Sequence, residues 1–173
     1  TPELVLALGR AAARVLDAPA FVVARDTRPS GPALQAALTA GLTAEGVDVV
    51  DVGVLPTPAA ARLARERGVP AAVISASHNP YPDNGVKLFD GAGQKLADEQ
   101  EAAIAAAVDG AGRTGHAGVV RIESLGDWYV GEVVGALEGH RLDGVRMVLD
   151  CACGAASVVG PAAFRAAGAD VIV

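Results

Sequence analysis

The chain has 173 residues, enough for one domain with a buried core and part of a second domain. It is 51% hydrophobic but only 3% aromatic, so the core has to be built from alanine and branched aliphatic side chains, as in helices packed on a parallel sheet. The net charge of −6 argues against nucleic acid or an anionic membrane as a partner, and no apolar run is long enough to span a membrane.

The first part of the chain predicts alternating helices and strands. Residues 1–3 (Thr-Pro-Glu) are typical of a helix start, because they combine a capping hydroxyl, a first-turn proline and an acid. The expected elements are a helix to residue 16, strand 21–24, helix 32–44, strand 47–52, helix 59–67 and strand 71–74. Right-handed crossovers make these strands parallel. The polar segments starting at Arg25, Gly53 and Ser75 should therefore meet at one sheet edge, where ligands bind.

The rest of the chain predicts more elements and the start of a second unit. They are strand 87–89, helix 98–108 capped by Asp98, a Gly-rich loop over 110–118, strand 119–122, helix 124–137, strand 145–149, helix 155–167 and strand 169–173. Charged and glycine residues over 139–144 separate two patterns. We therefore predict an α/β fold: a three-layer domain with a mixed, largely parallel sheet over residues 1–142, and an incomplete, similar domain over 143–173.

The two cysteines, Cys151 and Cys153, have a spacing that suits neither an ordinary disulfide nor a complete zinc site. We expect both to be small buried residues at the end of a strand, in a reducing cytoplasm. The chain has no initiating methionine and no leader-like stretch, so we expect residues to be missing upstream and the protein to be cytoplasmic.

Ser77 is the main candidate for chemistry. It follows a buried strand and precedes His78, Asn79 and Pro80, and the turn formers over 82–85 indicate a well-defined loop. A fixed loop at a sheet edge can position a nucleophilic hydroxyl. The residues alone leave open a plain turn, in which serine and asparagine only cap backbone groups.

Other reaction classes find less support in the sequence. The Gly-x-Ser-x-Gly motif of serine hydrolases and the P-loop motif are both absent. Residues 110–115 match Gly-x-Gly-x-x-Gly, but they follow a predicted helix rather than a strand, which favours a plain loop.

The segment 75–89 (Ser-Ala-Ser-His-Asn-Pro-Tyr-Pro-Asp-Asn-Gly-Val-Lys-Leu-Phe) closely resembles the phosphoserine loop of the α-D-phosphohexomutase superfamily. Four more segments resemble landmarks of that family in the same order, at 25–31, 54–58, 94–96 and 150–157. The matches cover nearly the whole chain. They are most similar to the branch of the family that acts on glucosamine phosphates.

The resemblance implies a two-step phosphoryl exchange on one sugar. Phosphorylated Ser77 would give its phosphoryl group to glucosamine 6-phosphate. The resulting glucosamine 1,6-bisphosphate, also the expected activator, would reorient and return its other phosphate to Ser77. Glucosamine 1-phosphate would leave as a precursor of UDP-N-acetylglucosamine for the cell wall. Mannose or glucose phosphates as substrates, and a non-catalytic relative that binds a sugar phosphate, remain alternatives.

By the same resemblance, Ser77 is the nucleophile and phosphate carrier, and its phosphate binds Mg²⁺ together with aspartates that lie outside this chain. His78 and Asn79 are expected to shape the loop. Lys87 is expected to orient the sugar hydroxyl or assist proton transfer, with a solvated charge at a strand end as the alternative.

Arg28 is expected either to support the phosphate at the sheet edge or to form an ordinary ion pair with Asp26, and Ser75 to be structural. The family's N-terminal strand, metal loop, sugar-reading loop and C-terminal phosphate-binding domain have no counterpart in these residues. We therefore expect this chain alone to be inactive. The sequence gives no indication of the oligomeric state.

Overall fold

Helices and strands alternate along the computed structural model except where β4 follows β3 directly, and the model describes residues 1–110, 112 and 115–173. Within those ranges the helices are α1 (Pro2–Leu16), α2 (Gly31–Ala44), α3 (Thr57–Arg67), α4 (Asp98–Ala107), α5 (Gly126–Gly135) and α6 (Val159–Ala166). The strands are β1 (Ala20–Arg25), β2 (Asp48–Val54), β3 (Ala71–Ile74), β4 (Val86–Phe89), β5 (Val120–Ile122), β6 (Arg146–Val148) and β7 (Asp170–Ile172). Each predicted element is present. Residues 111, 113 and 114 of the predicted Gly-rich loop, and of the motif within it, lie outside the described ranges.

The main sheet has the strand order β4-β3-β1-β2-β5. Four of its strands run parallel, and β4 pairs antiparallel with β3, which places Lys87 opposite Val73. β4 turns back because residues 75–85 are too few for a parallel crossover. The Ser75 N–H closes this loop by donating to the Gly85 carbonyl at 2.9 Å. The predicted mixed, largely parallel sheet is confirmed.

Two hydrophobic clusters, one on each face of the main sheet, form the core. One lies under α1, α2 and α4 and contains the fully buried Phe21. The other lies under α3 and α5 and contains Val22 and Leu63. Neighbouring residues of β1 join different clusters because successive side chains of a strand point to opposite faces. The three layers are those expected from the sequence.

Helices α1 and α2 cross at two glycines. A Cβ atom on Gly9 would lie 2.6 Å from the Leu38 carbonyl oxygen, and a Cβ atom on Gly41 would overlap the Leu6 carbonyl oxygen. The two backbones are therefore in direct contact, which only glycine allows. This contact fixes how α1 lies over α2 on that face of the sheet.

Several helix starts or caps differ from the prediction, and three of them have a clear local cause. α3 begins at Thr57 rather than at 59, because proline is accommodated in a first helical turn. Ala97 occupies the cap of α4, and Asp98 lies in the first turn, where the helix dipole still favours an acid. α6 begins at Val159 rather than at 155, because turns occupy the intervening residues.

The loop after β6 differs most from expectation. Ala152 and Cys153 adopt left-handed φ angles of 48° and 50°, so the chain turns here instead of leading directly into a helix. The expectation of two buried cysteines is wrong, because Cys151 is half-buried and Cys153 is exposed, each with a free thiol. In the part of the chain that the structure describes, no helix has the length and apolar character needed to cross a membrane.

Candidate active site

The segments that follow β1, β2 and β3 meet at one edge of the main sheet, as the sequence predicts. They line a cleft of about 540 Å³ with residues 26–28, residues 55–58 and four residues of the loop after β3, Ser75, Ser77, Asn79 and Tyr81, but not His78. A fourth segment, residues 151–156 after β6, also lines the cleft. The Thr27 hydroxyl links the first and fourth segments by donating a hydrogen bond of 2.7 Å to the Cys153 carbonyl. The cleft therefore lies between the main sheet and the loop that follows β6, a strand of the separate two-stranded sheet β6-β7.

Ser77 is exposed at this cleft in a left-handed backbone conformation, with a φ of 58°. Its N–H donates to Ser75 Oγ at 3.0 Å, and its own Oγ lies 3.3 Å from His78 Nδ1. Residues with a Cβ atom rarely adopt this conformation, and where they do the surrounding structure has to hold them. The serine is thus accessible while its backbone is constrained.

The buried Arg28 side chain, 9% exposed, supplies the largest part of that constraint. Its Nε donates to Asp26 Oδ2 at 3.1 Å, which is the ion pair expected as one alternative. Its Nη1 and Nη2 donate over 2.7–3.2 Å to five carbonyl oxygens of the loop, those of Ser77, Asn79, Pro80, Tyr81 and Asp83. A guanidinium has five N–H donors, and each nitrogen of Arg28 is engaged. Arg28 therefore holds the loop and offers no free donor to the cleft.

The cleft carries little charge of its own. Asp26 and Arg28 are the charged residues that line it among the described residues, and they form an ion pair. Residues 1–110, 112 and 115–173 contain no group of three or more histidine, cysteine or acidic side chains placed to hold a metal ion. Among the described residues, the lining of the cleft therefore offers no unpaired charged side chain.

The remaining predicted site residues divide between the cleft and its surroundings. Asn79 lines the cleft together with Ser77. Lys87 is exposed on β4, opposite Val73, and lines a neighbouring groove at the edge of the sheet. Thr57 lines both the groove and the cleft, so the two adjoin.

Two features of the site were not predicted from the sequence. The bond from the Ser77 N–H to the Ser75 hydroxyl could have been found from the Ser-x-Ser spacing, which is typical of a hydroxyl that accepts a bond two residues along. The exposed ring of Tyr81 lines the cleft, and nothing in the local pattern indicates this.

Comparison with known proteins identifies relatives over the whole chain. Residues 1–114 match the family described as phosphoglucomutase/phosphomannomutase, alpha/beta/alpha domain I. A protein named phosphoglucosamine mutase from Salinispora arenicola (strain CNS-205) is 51% identical over 187 residues, which cover 99% of this chain and 41% of the relative. One of the same name from Rhodococcus opacus (strain B4) is 50% identical over 186 residues, with the same two shares.

The fold has a close counterpart among solved structures. The crystal structure of a phosphoglucomutase/phosphomannomutase family protein from Burkholderia thailandensis superposes with a TM-score of 0.83 at 31% identity. The superposition covers 99% of this chain and 40% of that protein. The chain thus spans about two fifths of the length of the curated relatives it matches.

Proposed function

Because the chain belongs to the phosphoglucomutase/phosphomannomutase family, we propose that it forms the serine-bearing part of a phosphoglucosamine mutase. Such an enzyme interconverts glucosamine 6-phosphate and glucosamine 1-phosphate. The choice of sugar is supported by the name of relatives that are about half identical to this chain. The observation that carries the proposal is an exposed Ser77 hydroxyl at the cleft, on a backbone fixed by its surroundings.

The reaction moves one phosphoryl group in each of two steps. First, the O1 hydroxyl of glucosamine 6-phosphate attacks the phosphorus on Ser77. The bond from phosphorus to Oγ breaks and a bond to O1 forms, while the O1 proton passes to a base and Oγ takes up a proton. The 1,6-bisphosphate then reorients, and Oγ attacks the phosphorus on O6. The bond from phosphorus to O6 breaks and a bond from phosphorus to Oγ forms. O6 takes up a proton, and Oγ gives up its proton.

We propose that His78 receives the proton that leaves Ser77. Its Nδ1 lies 3.3 Å from Oγ and accepts a hydrogen bond when the ring proton is on Nε2. Lys87, in the groove that adjoins the cleft, is proposed to orient the sugar hydroxyl. Asn79 contributes through the shape of the loop, since its carbonyl is bound by Arg28.

Bound Mg²⁺ would supply charge compensation for the phosphate on Ser77. The phosphate on Ser77 is the Mg²⁺ ligand that this cleft would offer. Asp26, the carboxylate that lines the cleft, is already engaged by Arg28 through both of its oxygens. We infer that the remaining ligands come from outside the described residues, and that this chain alone does not turn over substrate. The enzyme is proposed to act in the cytoplasm with glucosamine 1,6-bisphosphate as activator.

The test is a phosphate analysis of the full-length protein after incubation with Mg²⁺ and glucosamine 1,6-bisphosphate. Peptide mass spectrometry should find one added phosphate, on Ser77. Ser77→Ala should carry no phosphate on that peptide and lose mutase turnover, while Ser124→Ala, an exposed serine after β5, should behave as wild type. Near wild-type turnover by Ser77→Ala would refute the assignment. Comparing kcat/KM for glucosamine, glucose and mannose 6-phosphates then decides the sugar.

A further inference from the structure

Both peptide groups that flank Ser77 are held by side chains. On one side the Ser77 N–H donates to Ser75 Oγ at 3.0 Å, and on the other the Ser77 carbonyl accepts from Arg28 Nη2 at 2.9 Å. Peptide groups are planar, so holding both of them fixes φ and ψ of the residue between them. Rotation about χ1 is then the one remaining freedom that aims Oγ. The direction of attack is therefore set by two side chains that lie outside the Ser77 residue.

The composition of the loop explains why it needs an arginine. Pro80 and Pro82 have no N–H, so the loop over 75–85 contains more acceptors than backbone donors. Arg28 supplies the missing donors, because its guanidinium lies among the loop carbonyls and bonds to five of them. A lysine in its place would have three donors and no planar fork, so it could not serve the same set of carbonyls.

Asp26 completes this arrangement. Its carboxylate accepts from the Arg28 backbone N–H at 3.0 Å and from Arg28 Nε at 3.1 Å, which fixes the arginine side chain at its base. The Asp26 carboxylate thereby orients the guanidinium toward the loop carbonyls and compensates its positive charge. A group so engaged contributes to the chemistry through the loop geometry rather than through its charge at the phosphate.

We propose that Arg28 is a positioning residue for Ser77, acting together with the Ser75 hydroxyl to hold the serine backbone in its left-handed conformation. The link to catalysis rests on the proposed function of Ser77, whereas the hold on the loop does not. Arg28 touches no reacting atom in this mechanism. Its loss therefore disturbs the direction of Oγ, while the cleft walls formed by residues 55–58 and 151–156 stay in place.

The kinetic test uses the full-length protein with Arg28→Lys. We expect kcat for the mutase reaction to fall about 100-fold, because a small misplacement of a nucleophile is costly, while KM changes less than about threefold. Arg62→Lys is the matched control, since Arg62 is a half-exposed residue of α3 that pairs with Glu132 and should leave both constants unchanged. Wild-type kcat for Arg28→Lys, or a large rise in KM alone, would overturn the proposal.

Chemical rescue distinguishes positioning from a general loss of folding. Millimolar guanidinium ion should restore part of the kcat of Arg28→Ala, because the ion can bind among the vacated loop carbonyls, while urea and ammonium should not. In the same way Ser75→Thr keeps the accepting hydroxyl and should retain activity that Ser75→Ala loses. Equal effects of guanidinium and ammonium, or equal activities of the two Ser75 variants, would contradict the proposal.

Hydrogen exchange of the loop provides a readout that does not depend on activity. In Arg28→Lys the amides of the peptide over 75–85 should exchange faster than in wild type, while those of α1 should be unchanged. Unchanged exchange in the loop would reject the proposed hold. If wild-type Ser77 takes no phosphate, the proposed function fails, and the exchange measurement still decides whether Arg28 fixes the loop.

Discussion

Replacing Ser77 with glycine should give a more stable protein than replacing it with alanine, the reverse of the usual order. Ser77 is exposed and has a φ of 58°, a conformation that costs a residue with a Cβ atom about 1–2 kcal/mol. Glycine avoids this cost, but it gives the unfolded chain extra freedom, which lowers stability by about 0.4–1 kcal/mol relative to alanine. Subtracting the second effect from the first, we expect the free energy of unfolding of Ser77→Gly to exceed that of Ser77→Ala by about 0.8 kcal/mol.

The assay is urea unfolding of the 173-residue chain followed by the fluorescence of Trp128, its only tryptophan, which packs against the cluster under α3. Ala76→Gly is the matched control, because Ala76 is the adjacent residue and has no positive φ. It should lose about 0.4–1 kcal/mol relative to wild type. If Ser77→Gly proves less stable than Ser77→Ala by about 0.4–1 kcal/mol, Ser77 is not held in the left-handed conformation in solution.

Two further predictions concern stability away from the cleft. Gly41→Ala should lower the free energy of unfolding by about 2 kcal/mol or more, because its Cβ would overlap the Leu6 carbonyl. Gly131→Ala in α5, where a Cβ has free space, should raise the free energy of unfolding by up to about 1 kcal/mol. Equal decreases in the two variants would contradict the close crossing of α1 and α2. Arg67 lowers the pKa of the Glu123 carboxyl through a hydrogen-bonded ion pair, so this stabilisation is present at neutral pH and is lost as the pH falls through that lowered pKa. Urea unfolding should therefore show Glu123→Gln less stable than wild type near neutral pH and equal to it in acid, and a gap that persists in acid would refute this cause.

Much of the fold and the location of the cleft could be predicted because they depend on local patterns. Short apolar runs mark β1, β2 and β3, and each is followed by a polar segment. General rules for parallel crossovers then bring those segments to one sheet edge, where the structure has them. Ser77 could be singled out for the same reason, since its loop is dense in turn-forming residues and follows a buried strand.

The internal arrangement of the cleft could not be predicted, because it depends on contacts between distant parts of the chain. Whether Arg28 faces a phosphate or the loop carbonyls is decided by how closely the loop after β1 lies to the loop after β3, and no local pattern encodes that distance. The turn at Ala152 and Cys153 was missed for another reason. Neither residue type favours a positive φ, so the sequence predicted an earlier helix and two buried cysteines.

The reach of Arg28 has a consequence for the order of folding. The bond from Arg28 to the Ser77 carbonyl joins residues 49 positions apart, so it forms only after β1 and β3 have come together in the sheet. In a molecule whose sheet is incomplete, Arg28 does not hold the Ser77 carbonyl, and the left-handed conformation of Ser77 lacks this support. The arrangement of the Ser77 loop is therefore completed only after β1 has paired with β3.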